Sequence, residues 1–273
     1  MRIMLSGEGA PEAIGALLML LRMKGETAEE IAGFAEAAQD AMPTVAGVGL
    51  DWPSYAAGRT RGAPWFLQSA RIVADRGQRV LLHGWNGPDQ KVRDGLAGAG
   101  IGMADTAEAA EEMIARDGIA YLRLETAHPA LFALINLRPV FGLRSCVNTV
   151  CRMLNPGRAA ASVQGVFHPS YRLLQADAAA LLGWRSLTVI KGGGGEFERH
   201  PGKEIAAFGL RDGAPWEGSF PALSGETRRL NDPDLAGDEV FERLIVTGTA
   251  ELAFATLGLS LPDGIAQSAD QGA

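Results

Sequence analysis

The sequence has 273 residues, 47% of them hydrophobic, and a formal net charge of −7. This length and apolar fraction suit one large domain, or one large and one small domain, with ample material for a core. Two cysteines exclude a disulfide framework, and the acidic total argues against a general, high-affinity coat for nucleic acid.

Hydropathy indicates a protein outside the membrane. The first fifteen residues lack the apolar core of a signal peptide, and the apolar run from Ala13 to Leu21 is too short to cross a bilayer. Cys146 and Cys151 are expected to be buried thiols in a reducing compartment. We therefore expect a cytoplasmic protein with no membrane partner.

Charge is distributed unevenly along the chain. Residues 1–51 carry 8 acidic against 3 basic side chains, residues 52–203 carry 12 against 18, and residues 204–273 carry 12 against 4. The basic middle includes the run Arg138, Arg144, Arg152 and Arg158, which contains no acidic residue. Such a run favours a phosphate ligand or a nucleic-acid backbone, although a solvated helix face with packed arginine stems would also explain it.

The first elements are helices, and strands then alternate with helices. Helices are predicted over Pro11–Leu21 and Thr27–Ala41, with Thr27 as N-cap. Strands are predicted at 45–50, 79–84, 118–124, 161–167 and 187–191, and helices at 65–75, 106–116, 172–182 and 239–257. No function is assigned to residues 202–238. This alternation predicts a small all-helical domain beside a larger α/β domain.

Two glycine-containing segments are candidate anion sites. Arg59, Thr60 and Arg61 precede Pro64 and a helix start, so their side chains could hold a phosphate; a solvated loop is the alternative. The run Gly192–Gly195 beside Lys191 is either a loop that lets an anion approach or a tight turn that needs positive φ.

Three aromatic residues can be interpreted in two ways. Trp52, Tyr55 and Trp65 could stack on nucleic-acid bases, but they are more typical of the core.

The stretch Arg138 to Pro156 resembles the Arg-Arg-Glu-Leu-Gly-x-Arg-Thr-x-Phe-Asn…Asn-Pro block of the anthranilate phosphoribosyltransferases, of glycosyltransferase family 3. Residues Ile3 to Phe34 resemble the N-terminal helices of that family, and the similarity covers nearly the whole chain. It implies a fold of the nucleoside phosphorylase and phosphoribosyltransferase type. The implied domains are 1–44 with about 127–150, and 45–126 with 151–273. The resemblance also implies a homodimer that pairs through the helical domain.

The resemblance implies roles for several residues of this chain. His83, Gly84 and Asn86 match a Lys-His-Gly-Asn motif that lines the substrate tunnel, with Asn86 one place late. His128 and Arg138 match two positions that touch the anthranilate, and Arg144 and Lys191 complete the predicted phosphate-binding set.

Two features of the family are altered in this chain. The Gly-Thr-Gly-Gly-Asp loop that cradles pyrophosphate is replaced by Asp51-Trp52-Pro53-Ser54-Tyr55, and the Asp-Glu pair that holds Mg²⁺ is replaced by Glu196 and, two residues on, Glu198. Glu196 is therefore the one candidate metal ligand, and we expect no certain cofactor, with Mg²⁺ the candidate.

A branch of the family named as DNA-binding proteins shows the same losses and similar blocks to Pro53-Ser54-Tyr55 and His168-Pro169-Ser170-Tyr171. By this resemblance we expect a protein that binds nucleic acid or another phosphate-bearing ligand instead of making phosphoribosyl-anthranilate. The alternative is a glycosyl- or phosphoribosyltransferase with a different donor or acceptor.

Overall fold

The computed structural model describes residues 1–56, 62–226 and 238–260. The chain begins with three helices: α1 (Arg2–Ser6), α2 (Pro11–Lys24) and α3 (Ala28–Gln39). The predicted N-cap of α3 is confirmed: the Thr27 side chain accepts from the Glu30 amide and the Glu30 side chain accepts from the Thr27 amide. This reciprocal capping box satisfies two amides that the helix itself leaves unpaired.

Strands and helices then alternate up to the middle of the chain. In order they are β1 (Leu50–Ser54), α4 (Phe66–Asp75), β2 (Val80–Gly84), α5 (Lys91–Gly98), β3 (Gly102–Ala104), α6 (Ala107–Asp117) and β4 (Ile119–Arg123). Four short helices follow: α7 (Leu124–Ala127), α8 (Pro129–Ile135), α9 (Arg138–Phe141) and α10 (Val147–Arg152).

The remaining elements complete the sheet and cover it. They are β5 (Ala161–Val166), α11 (Tyr171–Leu181), β6 (Ser186–Lys191), β7 (Ile205–Arg211), β8 (Ala214–Phe220) and α12 (Glu239–Thr256). The described strands form one eight-stranded sheet in the order β3-β4-β2-β1-β5-β6-β7-β8. The pairs from β3 through β6 are parallel, and β7 and β8 are added antiparallel.

The core lies on both faces of this sheet. One buried cluster joins the sheet to α3, α6 and α11, and the other joins it to α4 and α12. Trp52 and Tyr55 are 0% exposed and Trp65 is 6% exposed, so these three aromatic residues belong to the core. Both cysteines are buried, as predicted.

Helices from two separate segments share the small helical layer. α8 contacts α1, and α10 contacts α3. The discontinuous helical domain and its boundaries stay a prediction. Within the described ranges, no helix combines the length and apolar character needed to cross a bilayer.

The first strand differs from the prediction. The sequence pattern places it at 45–50, but β1 begins only at Leu50, because Gly47 turns the chain with a φ angle of 76°. β1 pairs with β5 only at Leu50 and Asp51, whereas it pairs with β2 along its whole length. The missing N–H of Pro53 is therefore tolerated in a central strand, because β1 and β5 have already separated there.

The C-terminal third holds a hairpin that the hydropathy pattern does not predict. β7 and β8 are joined at Asp212 and Gly213, whose φ angles are 50° and 81°. Asp-Gly is the strongest short sequence signal for such a turn, so this hairpin is readable from the sequence.

Candidate functional site

A cleft lies beyond the carboxyl end of β5, where the sheet meets the helical layer. Counted together with its open mouth, the cleft has a volume of about 520 Å³. Strand order reverses between β1 and β5, and ligands of open α/β sheets bind outside the strand ends at such a point. The residues that line this arginine cleft are Arg22, Arg144, Ser145, Asn148, Thr149, Arg152, Val166, Phe167, His168, Tyr171 and Gln175.

Three guanidinium groups converge on the arginine cleft, and among the described residues no carboxylate lines it. Arg22 comes from α2, Arg144 from the segment before α10, and Arg152 from α10 itself. Burial is the main cause that lowers the pKa of Arg144 to about 10, and the positive charges of Arg138, Arg152 and Arg22 act in the same direction. A bound anion would relieve this repulsion, so the cleft favours a negatively charged ligand.

Arg152 is held rigidly at the base of the cleft. It is 6% exposed, and its guanidinium donates to the Asn148 side chain and, at 3.5 Å, to the Gly195 carbonyl oxygen. Burial lowers the pKa of Arg152, and the negative charge of Glu196 opposes that shift. A guanidinium fixed in this way loses little freedom when it binds an anion.

Aromatic side chains form the outer rim. Phe167 is 47% exposed and its ring meets His168 edge-on at 4.9 Å between centroids. The Tyr171 hydroxyl lies 3.4 Å from both Arg22 Nη1 and Glu26 Oε2. The rim therefore offers exposed ring faces beside the arginines.

Gln175 presents an unused acceptor to the same cleft. It is 1% exposed, and its Oε1 finds no hydrogen-bond donor in the part of the chain that the structure describes. A ligand hydroxyl or N–H group would satisfy this oxygen.

A second, more apolar cleft of about 470 Å³ adjoins the first. The two share Arg144, Ser145 and Asn148. The Trp85 ring in its wall is fixed by edge-on packing on Phe132 at 5.0 Å and by the Arg93 guanidinium 4.9 Å from its centroid. The other lining residues are Gly87, Pro88, Ile135, Asn136, Arg138 and Pro139.

The candidate metal ligand does not fit a magnesium site. Glu196 is 1% exposed, and its Oε1 accepts three hydrogen bonds of 3.0 Å, from Ser54 Oγ, the Ala56 amide and Asn86 Nδ2. Glu198 is 0% exposed and accepts from the Phe66 amide at 3.1 Å, at the start of α4. No group of three or more metal-ligating side chains occurs among the described residues. Both carboxylates serve as acceptors for the protein itself.

The four-glycine run is a tight turn. Gly194 and Gly195 have φ angles of 63° and 94°. A Cβ on Gly192 would lie 1.5 Å from the Glu196 carbonyl oxygen, and a Cβ on Gly165 would lie 2.0 Å from the Glu196 carbonyl carbon. These glycines are needed because the chain folds closely over itself to bury Glu196.

Three residues predicted to line the tunnel lie behind the arginine cleft. His83 is 0% exposed; Tyr55 Oη lies 2.9 Å from its Nδ1, and Asp51 Oδ1 lies 3.1 Å from its Nε2. Gly84 has no space for a Cβ, which would meet the Ser54 carbonyl oxygen at 1.9 Å. Asn86 is 1% exposed and serves the Glu196 network. All three residues are buried, and their contact with a ligand stays a prediction.

His128 is also placed away from both clefts. It is 4% exposed, its Nδ1 accepts from the Leu131 amide, and its Nε2 lies 3.1 Å from the Ala38 carbonyl oxygen. His128 therefore caps α8 and ties it to α3, whereas Arg138, further along the chain, lines the second cleft.

The other predicted phosphate ligands do not all lie at the clefts. Arg144 lines both clefts. Lys191 is exposed at the end of β6 and lines neither cleft. Arg59, Thr60 and Arg61 lie outside the described residues.

Sequence reasoning missed several cleft residues. Arg152 belongs to the basic run, but nothing in the sequence marks it as the buried base of the cleft. Arg22 and Gln175 lie on helices with ordinary amphipathic patterns, so only the tertiary structure brings them to Arg144. His168 and Tyr171 form part of a sequence motif, but the motif alone gives them no position in the site.

The fold and the cleft define a protein class: a small helical domain set against the strand ends of an α/β sheet, with a ligand cleft between them. Family models agree with this division. A glycosyl transferase family helical bundle domain matches residues 1–42, and a glycosyl transferase family a/b domain matches residues 67–213. The chain belongs to this glycosyl transferase family.

Its relatives include anthranilate phosphoribosyltransferases. The one from Haloarcula marismortui is 34% identical over 200 residues, which cover 68% of this chain and 58% of that protein. The one from Halobacterium salinarum is 31% identical over 271 residues, covering 88% of this chain and 75% of the relative. The match thus spans somewhat less than two thirds of the first relative's length.

Solved structures confirm the predicted fold. The anthranilate phosphoribosyltransferase of Thermus thermophilus superposes with a TM-score of 0.78 at 22% identity, over 98% of this chain and 87% of that one. The enzyme from Saccharomyces cerevisiae in complex with PRPP and Mg gives a TM-score of 0.69 at 16% identity, over 88% and 74%.

Proposed function

We propose that this protein binds a phosphate-bearing ligand in the arginine cleft, that the ligand to test first is single-stranded nucleic acid, and that Mg²⁺ is not required. The observation that carries the proposal is the convergence of Arg22, Arg144 and Arg152 on a cleft whose described lining contains no carboxylate. Guanidinium groups bind phosphate oxygens through paired, charge-assisted hydrogen bonds.

The rim of the cleft supports a nucleotide over inorganic phosphate. Phe167 and His168 present ring faces to solvent next to the arginines, and bases stack on such faces in a sequence-tolerant way. The unused Gln175 oxygen suits a base or sugar donor.

The hydrogen bonding of the two carboxylates supports magnesium independence. Bound Mg²⁺ needs at least one well-placed carboxylate oxygen in addition to substrate phosphates. Glu196 and Glu198 are buried and already accept from Ser54, Ala56, Asn86 and Phe66. The positive charge that a metal supplies in phosphate sites is supplied here by the arginines.

The test is fluorescence anisotropy of a labelled single-stranded oligonucleotide, titrated at several salt concentrations. Binding should weaken steeply with salt, because each neutralised phosphate releases counterions. Arg22→Gln and Arg144→Gln should each weaken binding and lower the salt slope by about 1. Arg116→Gln is the matched control, because Arg116 is exposed on α6 and pairs with Asp117.

A competition titration distinguishes nucleic acid from phosphoribosyl pyrophosphate as the ligand. Phosphoribosyl pyrophosphate without Mg²⁺ should displace the oligonucleotide only if the two share the cleft. The proposal fails if the oligonucleotide does not bind while phosphoribosyl pyrophosphate binds only with Mg²⁺.

A second candidate is a transfer reaction with a different donor or acceptor. It is favoured by the adjoining cleft, where Trp85, Ile135 and Pro139 provide an apolar compartment next to the phosphate-binding one. Relatives named anthranilate phosphoribosyltransferase make phosphoribosyl pyrophosphate the donor to test. Release of pyrophosphate in the presence of anthranilate or another aromatic amine would establish this candidate.

We also propose that two copies pair through the helical layer. Ile3, Leu20, Met23 and Val140 are 64%, 67%, 81% and 78% exposed on α1, α2 and α9. Large exposed apolar side chains grouped on neighbouring helices are typical of a protein interface.

A further inference from the structure

A third cavity, the hinge cavity, lies where α3 faces the turn between α10 and β5 and the end of α11. Counted together with its open mouth, it has a volume of about 870 Å³, and its described lining shares no residue with the two clefts. Its lining residues are Ala35, Glu36, Gln39, Met153, Asn155, Arg158, Ala159, Ala160, Leu182, Gly183, Trp184 and Arg185.

The polar wall of the hinge cavity is rigid. Gln39 Oε1 accepts from the Asn155 amide at 2.7 Å, and the Asn155 side chain bonds both the amide and the carbonyl of Ala159 at 2.9 Å. Gln39 is 6% exposed, and its Nε2 has no acceptor among the described residues. A buried donor left unused in this way is costly unless a ligand accepts from it.

Two exposed side chains of opposite charge, Arg158 and Glu36, line the hinge cavity. Arg158 is held in the left-handed region, with φ 47°, by the turn that Asn155 organises. Over the described part of the chain, neither the Arg158 guanidinium nor the Glu36 carboxylate has a hydrogen-bond or ion-pair partner. Arg185 differs, because it pairs with Asp212 at 3.2 Å.

We propose that the hinge cavity binds a free amino acid with an apolar side chain. The ligand carboxylate is bound by Arg158 and by the Gln39 amide, the ligand ammonium group by Glu36, and the side chain lies against Met153, Leu182 and Trp184. A zwitterion is the small ligand that satisfies both unpaired charges and the unused donor at once.

The experiment is calorimetric titration of the full chain with each common amino acid, together with two truncated probes. L-Phenylalanine is compared with 3-phenylpropionate, which lacks the ammonium group, and with 2-phenylethylamine, which lacks the carboxylate. At least one apolar amino acid should bind with a Kd below about 1 mM, and each truncated probe should bind at least about tenfold more weakly. No binding by any amino acid, or equal binding by 3-phenylpropionate, would overturn the proposal.

Variants locate the binding. Arg158→Asn keeps the fold, because asparagine tolerates a positive φ better than arginine does, and it should weaken amino-acid binding at least about tenfold. Glu36→Gln should do the same, whereas Arg76→Asn at an exposed position outside the cavity should not. Unchanged binding in Arg158→Asn and Glu36→Gln would place the ligand elsewhere and refute the assignment. These variants differ from those that test the arginine cleft, so either proposal can be refuted without the other.

Discussion

Removing the Glu196 carboxylate tests whether it anchors the fold or holds a metal. Its Oε1 accepts from Ser54 Oγ, the Ala56 amide and Asn86 Nδ2, each at 3.0 Å, in a buried position. In Glu196→Ala the Ala56 amide loses the acceptor observed here, while Asn86 and Ser54 keep only each other. A buried donor without an acceptor costs about 1 to 3 kcal/mol, so we expect Glu196→Ala to lose about 3 to 5 kcal/mol.

Glu196→Gln retains the side-chain volume and one acceptor oxygen. It loses the charge that strengthens these hydrogen bonds, so we expect a loss of about 1 to 2 kcal/mol. Urea unfolding followed by circular dichroism measures both values. Glu112→Ala, on the exposed face of α6, is the control and should change stability by less than about 0.5 kcal/mol.

Repeating the unfolding measurements with MgCl₂ tests the alternative that Glu196 holds a metal. A ligand that binds the folded state raises its stability by mass action. If Glu196 is an internal anchor, millimolar MgCl₂ leaves the unfolding midpoint of the wild-type protein unchanged. A midpoint raised by MgCl₂ in the wild-type protein, but not in Glu196→Gln, would refute the reasoning.

Three further predictions concern the turn, the helical layer and the proposed dimer. Gly192→Ala should yield no soluble folded protein on expression, because its Cβ would lie 1.5 Å from the Glu196 carbonyl oxygen. Burial lowers the pKa of His128 below its ordinary 6.5, so the unfolded chain takes up the proton first and the folded state loses stability as pH falls through about 6.5. Urea unfolding midpoints measured from about pH 8 to 5 should show this loss. The variant His128→Gln should make the midpoint depend less on pH. Leu20→Glu should convert a dimer to a monomer in analytical ultracentrifugation, and a wild-type monomer would contradict the pairing proposal.

Local sequence signals predict most of the elements but not all of their positions. The capping residues around Thr27 and the alternation after residue 50 are short-range features, and both are observed. The first strand is predicted too early because apolar residues with interspersed glycines have strand composition, yet Gly47 adopts a left-handed conformation that ends an extended segment. The Asp212-Gly213 hairpin escapes prediction although its turn signal is present, because the flanking segments β7 and β8 contain glycine and proline.

The candidate site is less predictable because its residues meet only in three dimensions. A motif match assigns His83 and His128 to ligand contact, which stays a prediction. The structure places both in the interior beside neighbours that the sequence does not reveal: Tyr55 and Asp51 for His83, and the Ala38 carbonyl for His128. Conversely, the basic run does predict a positive region. The sequence does not reveal that Arg144 and Arg152 of this run line one cleft together with Arg22 from α2.

The two buried carboxylates lie on the same turn that contacts Arg152 of the arginine cleft. Glu196 accepts from the Ala56 amide and Glu198 from the Phe66 amide, so the carboxylates bind the two ends of the segment between β1 and α4 to the turn after β6. One oxygen of each carboxylate is therefore already engaged by the protein itself. In the proposed phosphate site the neutralising charge comes from guanidinium groups, and Arg152, held next to that turn, contributes one of them.

Phosphate binding by guanidinium groups and phosphate binding through a metal respond differently to salt and to chelators. Guanidinium–phosphate attraction is weakened by screening and counterion release, so oligonucleotide affinity should fall on going from low to physiological salt. A metal-bridged complex would instead dissociate when EDTA is added at constant ionic strength. Anisotropy should thus depend on salt and remain unchanged by EDTA; loss of binding with EDTA at constant ionic strength would show that a cation still bridges protein and ligand.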